Sequence, residues 1–324
     1  MLHLNSVITG TGSYLPEHVL TNDDLAQKVE TSDEWIRTRT GIRSRHMAND
    51  EESNNFMSAQ AARRALESAG VAAGDIDLII VATVSSTYTF PSTACFIQQQ
   101  LGVPAGAAAF DLQGACSGFI YGLQLADAQI KTGHAKKVLV LGAEKFTAYV
   151  DWTDRTTCVL FGDGAGAVVL EASESERIEG LLVTSIHADG ANSDLLIGTG
   201  GLSSTKTTGH VQMKGRDVYR HATRRMKEIV QNLLKREEMT KEDVDWLIPH
   251  QANLRIIEAM AEQLNFPMDK VIQTVSHHAN TSAASIPLAL DDANKRGQFK
   301  SGQTLALTAF GAGFTWAGAL LKWQ

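Results

Sequence analysis

The chain has 324 residues, 44% of them hydrophobic, so it can bury one large core or two linked ones without metal or disulfide support. Its formal net charge of −7 argues against nucleic acid as the main partner, since phosphate contacts demand a basic face. The three cysteines cannot all pair and none has zinc-ligand spacing. The N-terminus lacks a signal-peptide pattern and no run approaches the ~20 apolar residues of a membrane span, so the expectation is a cytoplasmic protein with no membrane and no metal.

In chain order, TSDEWIRTRTGIR (31–43) reads as an exposed helix entered by a capping box, Thr31 or Ser32 with Glu34. It carries Trp35 among Arg37, Arg39, Arg43 and Arg45. An aromatic face among guanidinium groups suits a purine and phosphates, and a merely solvated charged helix fits the pattern equally well. Residues 56–69 have a helical period, and DLIIVATV (77–84) is a buried strand. Cys116 lies in FDLQGACSGFIYGLQLADA, where a strand turns into a helix over 118–132. Gly114 and Gly118 permit a sharp elbow, and the helix N-terminus favours a thiolate, which predicts acylation persisting below the ordinary thiol pKa of about 8.5. Cys95 and Cys158 lack such surroundings and read as packing residues. Strands follow at 137–143 and 166–172. GDGAG (162–166) precedes a strand rather than a helix, contrary to a dinucleotide fingerprint.

Ser173–Arg177 reads as a linker, and 189–210 as a Gly, Ser and Thr-rich surface loop. A helix at 217–237 bears a basic stripe, Arg220, Arg224 and Lys227. His250 follows a strand and opens HQANLRIIEAM, an amphipathic helix start. Taken alone it is a structural hydrogen-bonder, just as Asn280 in SHHANTSAAS is by default a turn or cap residue. A helix at 284–296 and a strand at 304–310 lead into FGAGF. That segment has no Walker sequence, and its close backbone approach would let the Gly313 amide polarise a thioester carbonyl.

The two halves can be laid over each other. GDIDLIIVATV answers to EDVDWLIPHQA, QQLGVP to EQLNFP, GACSG around Cys116 to HANTS around Asn280, and LFGDGAGAVVL to AFGAGFTWAGAL. Matches in one order at slowly drifting spacing indicate duplication. They divide the chain at 1–173 and 174–324 into two α/β halves about a pseudo-two-fold axis. Cys116 and Asn280 then fall on equivalent turns facing one cleft, with His250 contributed by the second half.

These segments, with FPSTACFIQ, DWTDRTTCVLFGDGAGAVVL, NTSAASIP and FGAGFTWAGALL, closely resemble the 3-oxoacyl-acyl-carrier-protein synthase III family of the thiolase-like superfamily, over essentially the whole chain. The resemblance implies a five-layered αβαβα fold with mixed sheets, a homodimer, and a Cys116–His250–Asn280 triad with the amides of Cys116 and Gly313 as oxyanion hole. Acyl-CoA would load Cys116. Malonyl-acyl-carrier protein would then decarboxylate under hydrogen bonds from His250 and Asn280, with no metal or redox cofactor. CoA contacts fall on Thr31, Trp35, Arg39, Arg155, Gly215 and Asn253, with adenine between Trp35 and Arg155. The acyl pocket involves Phe310 and Phe90, the latter reaching into the partner subunit. Carrier-protein contacts fall on Gln251 and Arg255. The sequence departs from the family where Glu262 and Gln263 replace a lysine pair, shifting that contact towards Arg220 and Arg224. Ala279 replaces the usual glycine, a change expected to be tolerated if its φ stays negative. Two other readings stay open: a thiolase-like acyltransferase of secondary metabolism, and a non-catalytic acyl-CoA-binding protein.

Overall fold

The computed structural model describes residues 4–175 and 179–324. The first half runs β1 (Asn5–Tyr14), β2 (Val19–Thr21), α1 (Asn22–Ala26), α2 (Asp33–Thr40), β3 (Ser44–His46), α3 (Asn54–Ala69), β4 (Leu78–Ala82), α4 (Thr93–Leu101), β5 (Ala108–Leu112), α5 (Gly118–Lys131), β6 (Lys137–Glu144) and β7 (Gly164–Ser173). The second runs β8 (Gly180–Ala188), β9 (Leu196–Gly198), β10 (Val211–Met213), α6 (Gly215–Arg236), β11 (Trp246–Pro249), α7 (Leu254–Leu264), α8 (Val275–His278), α9 (Ser285–Lys295), β12 (Thr304–Gly311) and β13 (Thr315–Lys322).

Among the described residues, one sheet has the order β1-β7-β6-β4-β5 and another β11-β12-β13-β8. Both are mixed: β4 pairs in parallel with β5 and β6, β11 with β12, and the remaining neighbours are antiparallel. Strand for strand, β8, β13, β12 and β11 repeat β1, β7, β6 and β4, and a parallel bridge between Leu247 and Val271 stands in the place of β5. The repeat seen in the sequence is therefore a repeat of topology. The linker expected at Ser173–Arg177 begins at the last residue of β7, and residues 176–178 lie outside the described residues.

Strand alternation explains the layering. In β4, Ile79 and Val81 face α3 and α4, packing with Met57, Ala61 and Ala65. Leu78 and Ile80 face the other way, onto Ile120 and Leu123 of α5. Period-two burial on both faces is what a sheet covered by helices on each side requires. Helices α5 and α9 form the central layer between the two sheets, and α6 with α7 covers the far face through Met226, Ile229, Leu233 and Ile257. The result is five layers, αβαβα.

Local details depart from the sequence expectations. The cap of α2 is Ser32, whose Oγ accepts from the Trp35 amide at 3.1 Å. Trp35 rather than Glu34 thus occupies the third helical position, and no capping box forms. The surface loop 189–210 is tied by a ribbon, β9 pairing with β10, that brings it over the cleft.

Candidate active site

Cys116 sits in a 3₁₀ turn, Ala115–Ser117, between β5 and α5. The preceding Ala115 has φ +46°, the left-handed backbone of a tight elbow. Gly311, at the end of β12, packs against that turn so closely that an added Cβ would lie 2.7 Å from the Cys116 amide nitrogen. Its place in FGAGF was visible in the sequence, but the residue it must avoid was not.

The thiol is buried, and its Sγ lies 3.5 Å from Ser282 Oγ. Burial pushes its pKa from the ordinary 9.0 up to about 12, the Ser282 hydrogen bond opposes the rise, and the Glu144 carboxylate adds to it. This corrects the expected low-pKa thiolate. A helix N-terminus contributes about 0.3–1 kcal/mol, less than the roughly 1.4 kcal/mol that corresponds to one pH unit, so it cannot offset so large a rise.

His250 follows β11 and is 2% exposed. Its amide donates to the Thr308 carbonyl at 2.8 Å, and its Nδ1 lies 2.6 Å from Ser285 Oγ. Ser285 Oγ also accepts from the Gln251 amide at 3.3 Å; with the hydroxyl proton directed to Nδ1, the neutral imidazole would present Nε2–H to the cleft. Burial depresses the imidazole to about 3, keeping it neutral. Ser285 was not singled out in the sequence, although it closes the NTSAAS segment. Asn280 is fixed by its backbone, which donates to Leu160 O at 2.9 Å and accepts from Gly162 N at 3.0 Å. Its Oδ1 accepts from the Ser282 amide at 2.9 Å, which turns Nδ2 outward as a donor.

Cys116, His250, Asn280, Phe310 and Gly313 line one cleft of about 1820 Å³. Trp35, Arg39, Gly215, Asn253 and Arg255 line the same cleft. Arg155 lies over the Trp35 ring at 5.0 Å and Arg39 at 5.9 Å, while Arg155 Nη1 donates to Glu30 O at 3.0 Å. Asn253 caps α7 through the Arg255 amide and donates to Arg39 O at 3.2 Å, tying the two halves of this rim. Thr31 precedes the cap of α2, and among the described residues its buried hydroxyl has no hydrogen-bond partner. Phe90 is not among the lining residues; it is 82% exposed.

Two further expectations are overturned. Gln251 cannot meet a partner: it is 0% exposed, its Oε1 accepts from the amides of Thr274 (2.8 Å) and Val275 (3.1 Å), and its Nε2 donates to Pro249 O (2.7 Å) and Ile272 O (3.1 Å). It ties the end of β11 to the segment leading into Asn280. Ala279 does not keep a negative φ; it has φ +57° and ψ −158°, backbone that strongly favours glycine. Arg220 and Arg224 are exposed outside the cleft lining, and each is paired within α6, to Asp217 at 3.0 Å and Glu228 at 4.0 Å.

Comparison with known proteins places the fold and the family. Residues 110–190 match the family described as 3-Oxoacyl-[acyl-carrier-protein (ACP)] synthase III, and residues 234–323 match its C-terminal part. The chain is 53% identical over 322 residues to beta-ketoacyl-[acyl-carrier-protein] synthase III of Rhodospirillum centenum, covering 99% of both chains. The crystal structure of 3-oxoacyl-[acyl-carrier-protein] synthase III from Aquifex aeolicus superposes with a TM-score of 0.93 at 48% identity, covering 98% of this chain and 100% of that one. The priming beta-ketosynthase of the R1128 polyketide pathway superposes with a TM-score of 0.91 at 34% identity, over 98% of this chain and 96% of that one.

Proposed function

The chain belongs to the 3-oxoacyl-acyl-carrier-protein synthase III family of condensing acyltransferases, and we propose that its cleft loads an acyl group from acyl-CoA, acetyl-CoA above all, onto Cys116 and condenses it with malonyl-acyl-carrier protein to begin fatty acid synthesis. The observation that carries the site assignment is the convergence of Cys116, His250 and Asn280 on one cleft. The acceptor atoms of the latter two are engaged by Ser285 and the Ser282 amide, so that both present donors.

In the first step Cys116 sulfur bonds to the acyl carbonyl carbon, the amides of Cys116 and Gly313 hold the oxyanion, and the CoA thiolate leaves. In the second, His250 Nε2–H and Asn280 Nδ2–H donate to the malonyl thioester oxygen. They stabilise the enolate left when the carboxylate departs as CO2. That carbanion attacks the acyl carbon and releases Cys116. Driving force comes from decarboxylation and charge stabilisation from hydrogen bonds, a route that calls on no metal or redox group. A neutral imidazole suits the task, because it offers a hydrogen bond without giving up a proton to the enolate.

Trp35, Arg39, Arg155, Gly215, Asn253 and Thr31 are the proposed CoA contacts, and Arg255 at the cleft mouth is the proposed meeting point with an acidic carrier, with Arg220 and Arg224 as further contacts. A homodimer is supported by β5, an edge strand whose Ala108 and Phe110 are exposed, and by the outward Phe90, proposed to enter the partner's acyl pocket. The test is incubation with malonyl-acyl-carrier protein and acyl-CoAs of rising length, with products identified by mass. The expected product is 3-oxobutyryl-carrier protein from acetyl-CoA. Formation of no 3-oxoacyl product from any primer would refute the assignment.

A further inference from the structure

Glu144 ends β6 with its carboxylate buried, and none of its hydrogen-bond partners is a cation. Its Oε2 accepts from Thr83 Oγ1 at 3.3 Å, from the Val84 amide at 3.2 Å and from Ser85 Oγ over a short contact. Asn54 Nδ2 donates to Thr83 Oγ1 at 3.1 Å and to Ser85 Oγ at 3.3 Å, and the Lys145 amide donates to Ser85 Oγ at 2.9 Å. Those donors leave the protons of both hydroxyls to the carboxylate. Desolvation of an unpaired carboxylate is costly, so a site equipped with this many donors holds it for more than packing.

The other oxygen points at the nucleophile. Ser282 Oγ lies 3.2 Å from Glu144 Oε1 and 3.5 Å from Cys116 Sγ, and all three side chains are buried. Ser282 is held for this by backbone with φ +50° and by the hydrogen bond its amide donates to Asn280 Oδ1 at 2.9 Å. Among the described residues the hydrogen bond of Sγ runs to Ser282, not to His250, whose Nδ1 is engaged by Ser285. A thiol raised to about 12 needs an acceptor for its proton, and burial raises Glu144 to about 7, so this carboxyl can take and release one near neutrality.

We infer that Glu144 is a positioning residue that holds the Cys116 proton through Ser282 while the acyl-enzyme exists. The inference rests on the acyl-cysteine reading above. On acylation, the S–C bond to the acyl carbon forms, the thiol proton passes to Ser282 Oγ, and the hydroxyl proton of Ser282 passes to Glu144. The bond from the acyl carbon to CoA sulfur breaks, and the CoA thiolate takes a proton from solvent. On condensation, the new carbon–carbon bond forms, the acyl carbon's bond to Cys116 breaks, and the proton returns from Glu144 through Ser282 to the thiolate. Among the described residues the titratable groups near Glu144 are few. They are Cys116 itself and Tyr149, whose hydroxyl donates to Val84 O at 2.8 Å. Lys145 turns its ammonium to Asn49 O at 2.6 Å, and Asp163 is engaged by Thr147 and the Ala48 amide.

The test is the single-turnover rate of Cys116 acylation by acetyl-CoA, followed by mass over roughly two pH units either side of the value near 7 at which Glu144 titrates, in the unaltered protein, Glu144→Gln, Ser282→Ala and Glu144→Asp, with CoA affinity and Tm measured alongside. The relay predicts a rate that rises through one ionisation near neutrality. Glu144→Gln and Ser282→Ala lose that rise and fall roughly a hundredfold, while Glu144→Asp restores it with CoA affinity unchanged. Ser282→Ala decides the matter if Glu144→Gln does not fold. An unchanged pH profile in these variants, or faster acylation in Glu144→Gln from removal of a repelling charge, overturns the relay and leaves the acyl-cysteine reading intact. Failure of the unaltered protein to acylate at any pH removes that reading instead.

Discussion

Ala279 stands between His278 and Asn280 with left-handed φ and no exposure, and its methyl sits where the backbone suits glycine. Such backbone costs a non-glycine residue of order 1–3 kcal/mol. Ala279→Gly should therefore raise stability by about 1 kcal/mol after the added freedom of the unfolded chain is subtracted, read as a higher Tm with condensing activity retained. A lower Tm would mean that the methyl packs better than the backbone suffers. The sequence revealed that a glycine was missing at Ala279 but not the sign of its φ, because dihedral sign is set by the turn between α8 and Asn280. Gln251 was misread for a related reason. Its position beside His250 in HQANLR suggested a surface, whereas the strand end turns it inward to four backbone partners. Cys116, His250 and Asn280 were legible because repeat spacing put two of them on matching turns. Glu144 was not, since it closes an apolar run, KVLVLGAE, that reads only as a strand.

At the scale of elements, the cleft rim is built where α2, the turn before α7 and the 151–157 segment meet. Trp35 is held by the Ser32 cap of α2, and Arg155 lies over its ring at 5.0 Å while bonded to Glu30 O. Two stacked layers about a purine need roughly 7 Å between outer groups, twice an optimal contact distance, so Arg155 has to lift by about 2 Å for adenine to enter. Trp35→Ala should raise KM for acetyl-CoA about tenfold, near the 1–2 kcal/mol of a desolvated cation–π and stacking contact, with kcat little changed. A fall in kcat at constant KM would place Trp35 elsewhere in the reaction. Strands β4, β6, β7 and β12 and helices α3, α5, α6 and α9 were readable from periodicity, whereas β1, β8 and β13, though eight to ten residues long, were not singled out in the sequence. The β9–β10 ribbon was not, for its strands have three residues each and their pairing is set by the cleft they cover.

For the whole molecule, duplication explains both architecture and chemistry. Two sheets of like topology bring the Cys116 turn before α5 and the Asn280 turn before α9 to one central layer, and β11 delivers His250 beside them. One half thus carries the proposed nucleophile and the other the two proposed donors to the carbanion, all lining one cleft. Among the described residues no helix is long and apolar enough to cross a membrane. The most direct test of that division is intact-protein mass after acetyl-CoA alone, then after malonyl-acyl-carrier protein, in the unaltered protein and in His250→Ala with Asn280→Ala. The account predicts an acetyl group on Cys116 in both, discharged by the malonyl carrier in the first and retained in the second. An adduct on another residue, or a double variant that discharges as fast as the unaltered protein, would contradict it.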